Sequence, residues 1–137
     1  MKKVLATVVG LVAAAAVILV FEFLGEMFFP LPEQIDITDV DSIKANMDKI
    51  PTGSLVFVIM AHFLGILAGM VVTTYVSKET LVPVLVVGGI LLLATLINLF
   101  VLPHPIWFII ADILAVVLGF LVGRSLSKQR ITRLNSI

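Results

Sequence analysis

Three carboxylates lie inside stretches otherwise built mainly from Val, Leu, Ile, Phe, Ala and Gly: Glu22, Glu26 and Asp112. His62 and Asn98 interrupt two further apolar stretches, and His104 stands between Pro103 and Pro105. An ionisable group in hydrocarbon costs at least a few kcal/mol unless it is paired or wetted, so each of these residues is a candidate for function. Three chemistries suit the set. The groups could pair with one another as a polar clasp, through a Glu22–His62 or a His62–Asp112 hydrogen bond, because unpaired carboxylates and imidazoles tolerate low dielectric poorly. They could bind a small solute or ion in exchange for protons. They could also hold zinc, manganese or iron through His62, Asp112 and Glu22, although no ligand-spacing motif is present. No cofactor is predicted, and a b-type haem is disfavoured because His104 lies at a different depth from His62. No catalytic motif accompanies the set, which leans away from an enzyme.

Those residues must be positioned by membrane-spanning helices. The chain has 137 residues, 61% hydrophobic and 13% charged, with mean hydropathy +1.22, where a soluble domain would carry about 25% charged residues. The absence of cysteine excludes disulfides and thiolate metal sites. A span needs about 20 apolar residues to cross ~30 Å of hydrocarbon. Four segments qualify: Val4 to about Phe29, Leu55 to Val76, Leu81 to Leu102, and Ile106 to Val122. Prolines 30, 32, 51, 83, 103 and 105 cluster near their ends, with Pro83 in the first turn of the third helix. The apolar run continues from Ala13–Ala16 through Val17 to Phe21 without a polar region, so the first segment reads as a retained span and not as a cleaved leader. The expected fold is an all-α membrane protein, a four-helix up-down bundle forming a single domain.

Charge sets the expected orientation. Lys2, Lys3, Lys78, Arg124, Lys128, Arg130 and Arg133 fall at the N-terminus, the second loop and the C-terminal tail, against Lys44 and Lys49 in the other two loops. This asymmetry places both termini in the cytoplasm of a bacterial inner membrane, with the acidic loop 31–53 outside. Trp107 and Tyr75 fit interfacial anchors at opposite faces. The tail, 124–137, is basic and could touch anionic lipid. In the outer loop, Thr38 followed by Asp41 resembles a capping box. Ile43, Met47 and Ile50 then share a face opposite Asp41, Lys44 and Asp48, so a short amphipathic helix is expected there, with a Lys44–Asp48 pair, as a lid over the polar residues. His104 is expected to cap the fourth helix ahead of Pro105.

Shifting the chain by 50 residues brings Ala61-His62-Phe63-Leu64-Gly65 onto Ala111-Asp112-Ile113-Leu114-Ala115, Gly69 onto Gly119, and Ser77-Lys78 onto Ser127-Lys128. Two tandem helical hairpins of like orientation follow, with His62 and Asp112 at equivalent positions about a pseudo-twofold. Small residues recur every fourth position: Ala6, Gly10, Ala14; Ala61, Gly65, Gly69; Ala111, Ala115, Gly119, Gly123. Such stripes let helix backbones approach closely. They serve packing within the bundle, or a homodimer or larger membrane complex; beyond these and the lipid bilayer, no nucleic-acid partner is expected. Counting about 1.5 Å per residue from the outer helix ends puts Glu22 ~12 Å deep, His62 and Asp112 ~10 Å, and Asn98 ~8 Å. All four helices then offer a polar group to one layer of the outer half.

The run Pro103-His104-Pro105-Ile106-Trp107-Phe108 resembles one found in a group of small bacterial four-span membrane proteins of unassigned function. Glu22, Glu26, Pro30, Pro32, Pro51, Gly65 and Gly69 also match that pattern, which implies topology and bacterial origin but no activity. A looser likeness is to the small multidrug resistance transporters, through four spans, a Glu in the first, and Ile50-Pro51-Thr52-Gly53. The long acidic outer loop, the fixed charge bias and the outward displacement of the Glu depart from those transporters. The reading from sequence is therefore a binding or accessory membrane component with a titratable outer site. A proton-coupled transporter and a metal-dependent membrane enzyme are the alternatives.

Overall fold

A backbone in hydrocarbon must satisfy its own hydrogen bonds, and a helix does so within one segment. In the computed structural model, which describes residues 1–136, each apolar stretch is a single unbroken helix. These are α1 (Lys2–Phe28), α3 (Thr52–Ser77), α4 (Val82–Val101) and α5 (Ile106–Asn135), with the short α2 (Val40–Ala45) in the first loop. All four long helices have the length and apolarity to cross a membrane. Pro83 sits in the first turn of α4, where its missing N–H removes no helical bond. Lys78 ends α3 with φ 56°, the one non-glycine residue in the left-handed region among those described.

α3 is the central helix, packed against α1, α4 and α5, while α1 and α5 flank it and hardly meet. Added Cβ atoms at Gly25, Gly65 and Gly69 would meet Phe57, Ile18 and Ala14 respectively, so α1 runs antiparallel to α3 along nearly their whole length. This register sets Glu22 level with Ala61 and His62. α5 runs parallel to α3: Asp112 reaches His62, Gly123 faces Met70 and Ser127 reaches Thr74. Both termini therefore lie at one end with the α3–α4 turn. The two hairpins, α1–α3 and α4–α5, are both present but unequally packed, the first being much the closer.

The small-residue stripes are consumed inside the chain. Ala6, Gly10, Ala14, Ala61, Gly65, Gly69, Gly119 and Gly123 are all buried. A Cβ on Gly10 would overlap Thr73 Oγ1 and come within 2.8 Å of the Gly69 carbonyl, and one on Gly119 would come within 2.9 Å of the Phe63 carbonyl. The half nearer the termini also contains a layer of hydroxyls that the sequence reading did not foresee. Thr73 Oγ1 donates to the Gly69 carbonyl at 2.7 Å, while the Thr74 and Ser127 hydroxyls lie 2.6 Å apart. Thr74 also donates to the Met70 carbonyl at 2.9 Å, so its single proton is spent there and Ser127 is the donor between the two helices.

Several local expectations are corrected. The basic tail is not a separate segment: α5 continues through it to Asn135, a helix ~45 Å long. The cap of α2 is Asp39, whose side chain accepts from the Asp41 N–H, because Thr38 is held in a turn with both its N–H and its hydroxyl on Asp36 Oδ1. That hydrogen bonding holds the Asp36 carboxyl below its ordinary pKa. Lys44 lies 3.9 Å from Asp41, not beside Asp48, since α2 stops at Ala45 and a 3-10 turn (Met47–Lys49) breaks the i,i+4 alignment. Pro105 takes the cap position of α5, leaving His104 outside the helix with Nδ1 3.1 Å from the Leu102 carbonyl.

Candidate functional site

The end of the bundle away from the termini holds a half-open cavity of about 450 Å³. Glu22 and Glu26, one turn apart on α1, reach it from one side; His62 and Asn98 reach it from α3 and α4, and His104 from the turn before α5. Ile43, Met47 and Ile50 line it from above, so the segment in the first loop does roof the polar residues with its apolar face. Asp41, Lys44 and Asp48 on its other face are exposed. The cavity is mixed in character, with Leu19, Phe23 and Leu55 contributing apolar wall between the charged groups.

Asp112 does not line this space. It is fully buried behind His62, with Oδ1 2.8 Å and Oδ2 3.0 Å from His62 Nδ1. Of the two clasps open to the sequence reading, the structure forms His62–Asp112 and leaves Glu22 on the cavity rim. The contact requires a proton between the two groups, carried on Nδ1 when Asp112 is a carboxylate, and it fixes the orientation of the imidazole. Asp112 owes its burial to the parallel packing of α3 on α5, where Phe108, one turn earlier, is also fully buried. The His104 ring stacks on Phe108 at 4.5 Å, and Trp107 meets Phe108 edge-on at 6.0 Å. His104 is half-buried in its turn, and this desolvation lowers its pKa despite the opposing Leu102 carbonyl.

Asn98 Oδ1 is buried with no hydrogen-bond partner among the described residues. Leaving such an acceptor unmet costs about 1–3 kcal/mol. The residue also borders a smaller cavity of about 140 Å³ between α1, α3 and α4, lined with His62, Thr95 and Ile66. That volume exceeds the ~15 Å³ a single water requires, and its polar rim offers partners. Thr95 escaped the sequence reading, as did Ser54, which lines the main cavity. Thr95 precedes Asn98 by three residues and so shares its helix face, a spacing that could have revealed it. Ser54, in the first turn of α3, carried no comparable signal.

Three donors are not assembled for a metal. Among the described residues no group of three His, Asp or Glu side chains converges closely enough to hold an ion. No family model, curated protein or solved structure matches this chain. The geometry of the cavity therefore carries the functional reading by itself. Tyr75 lies at the opposite end of the bundle from Trp107, both partly exposed, as interfacial side chains would be.

Proposed function

We propose that this protein is a multi-pass component of a bacterial inner membrane, termini in the cytoplasm, that binds a small amphiphile in an outward-facing pocket. The observation that carries the reading is the convergence of Glu22, Glu26, His62, Asn98 and His104 on one lidded cavity with a partly apolar wall. Carboxylates and an unmet amide oxygen are hydrogen-bond acceptors, so the ligand's polar end is a donor, a protonated amine being the simplest case. Its apolar part would lie against Leu19, Phe23 and the underside of the lid.

Trp107 is the only tryptophan and lies one ring away from His104, so its emission reports on the site. Titrating octylamine into protein held in lipid nanodiscs should shift that emission saturably, whereas octanoate at equal concentration should not. Glu22→Gln with Glu26→Gln should abolish the amine response. Equal responses to amine and acid, or survival of the amine response in the double variant, would reject the reading.

Proton-coupled transport draws on the same His62–Asp112 pair. It would require the half near the termini to part along the α1–α3 seam, where Gly10 and Gly69 hold the backbones together. Binding needs no such separation and is the reading adopted. Solute uptake by proteoliposomes that follows an imposed pH gradient, and disappears in Glu22→Gln, would favour transport instead.

A further inference from the structure

The end of the bundle that carries the termini has a separate cleft of about 330 Å³ between the last turns of α3 and the extension of α5. The Thr74–Ser127 hydroxyl pair forms its base, and Tyr75, Gln129, Arg130 and Arg133 border it. The Arg130 guanidinium carbon lies 3.7 Å from the centroid of the Tyr75 ring. Such cation–π stacking fixes the plane of the guanidinium and leaves its donors free for other partners. Among the described residues, Arg130 Nε is buried with no hydrogen-bond partner and no carboxylate borders the cleft. Arg133 lies three residues on, on the same side of the helix. Two guanidiniums with the Gln129 amide nearby form a donor set for an anion with several oxygens, and phosphate matches a guanidinium bidentately.

Height identifies where that anion comes from. Ser127 is level with Thr74 through their hydrogen bond, so Arg130, about one turn further along α5, lies where α3 gives way to the polar Lys78-Glu79 turn. A lipid phosphate occupies that level when the apolar parts of α3 and α5 span the hydrocarbon. Val71 and Leu126 continue the cleft toward the middle of the bundle as an apolar strip fit for an acyl chain. We propose that this cleft binds the headgroup phosphate of an anionic phospholipid, with Arg130 and Arg133 as its donors and Tyr75 as the platform that orients Arg130. The site is independent of the pocket at the other end.

The test is native mass spectrometry of delipidated protein offered equal amounts of phosphatidylglycerol and phosphatidylcholine. One phosphatidylglycerol per chain should be retained in preference to phosphatidylcholine. Arg130→Gln and Arg133→Gln should each reduce that retention about tenfold, the usual scale of one charge-assisted contact. Arg124→Gln with Lys128→Gln, on another face of α5 away from the cleft, should leave it unchanged. Equal losses in both sets would mean a diffuse surface charge and overturn the proposal, as would full retention in the two cleft variants. Millimolar inorganic phosphate that displaces the lipid completely would assign the donors to a free anion and overturn it too. Thermal unfolding identifies any variant that fails to fold. Arg133 is exposed at the rim, so Arg133→Gln decides the matter if Arg130→Gln is lost.

Discussion

The two hairpins are built from equally apolar helices yet are held together differently. α1 and α3 lie in contact along their length, with Gly10 and Gly69 admitting each other's backbone. α4 and α5 touch only locally, where Phe120 covers Gly88, and each leans on α3 instead. Hydrophobicity cannot distinguish these cases, because lipid is as apolar as leucine; close packing and interhelical hydrogen bonds decide which surfaces join. The first hairpin is the closely packed frame, and the polar cavity lies where α4 and the first loop close over it.

The largest test of that contrast is Gly10→Val. The added methyls have no space against Thr73 and the Gly69 carbonyl, so stability should fall by about 3 kcal/mol or more, read as a lower midpoint of unfolding in detergent. A variant as stable as the parent would deny the seam its role. Asp112→Leu should be next, at about 1–3 kcal/mol, because His62 loses the acceptor of its buried N–H. In a double-mutant cycle, His62→Leu with Asp112→Leu should recover most of that loss; no recovery would separate the two residues energetically. Gly89→Ala, on the open face of α4 where an added Cβ meets nothing within 4 Å, should be neutral or stabilising by up to ~1 kcal/mol. A marked loss there would reveal a contact to another chain.

The smallest effect is one of pH. Burial lowers the His104 pKa in the folded state, so the unfolded chain binds the proton more readily. The stabilisation is complete above the ordinary value of about 6.5 and is lost as pH falls through the lower folded value. Acidification should therefore loosen the 102–108 corner, seen as increased iodide quenching of Trp107, and His104→Gln should remove the dependence. Quenching that rises equally in the variant would place the titrating group elsewhere.

The four helices were legible because each apolar stretch is long and ends at proline or charge. Bringing Glu22, Glu26, His62 and Asn98 to one cavity followed from counting rise per residue, a one-dimensional measure that works when helices stand side by side. What depended on rotation about each helix axis was not legible. The sequence offered His62 two clasp partners, Glu22 and Asp112, and the choice between them depended on the parallel packing of α3 on α5, which turns Asp112 toward the ring. The Thr74–Ser127 contact and the Tyr75–Arg130 stack have the same origin. The Thr38 cap failed because Asp36 competes for the same hydroxyl at a distance of two residues.

α4 is the shortest of the crossings, with 20 residues and ~30 Å of rise, about the hydrocarbon thickness of an ordinary bilayer. Its neighbours have reserve length and can tilt or protrude, but α4 has none. In a thicker membrane the polar turns at its two ends, Lys78-Glu79 and Pro103-His104-Pro105, would be drawn toward the acyl chains or would pinch the bilayer locally. This one rod sets the bilayer thickness at which the whole molecule sits without strain.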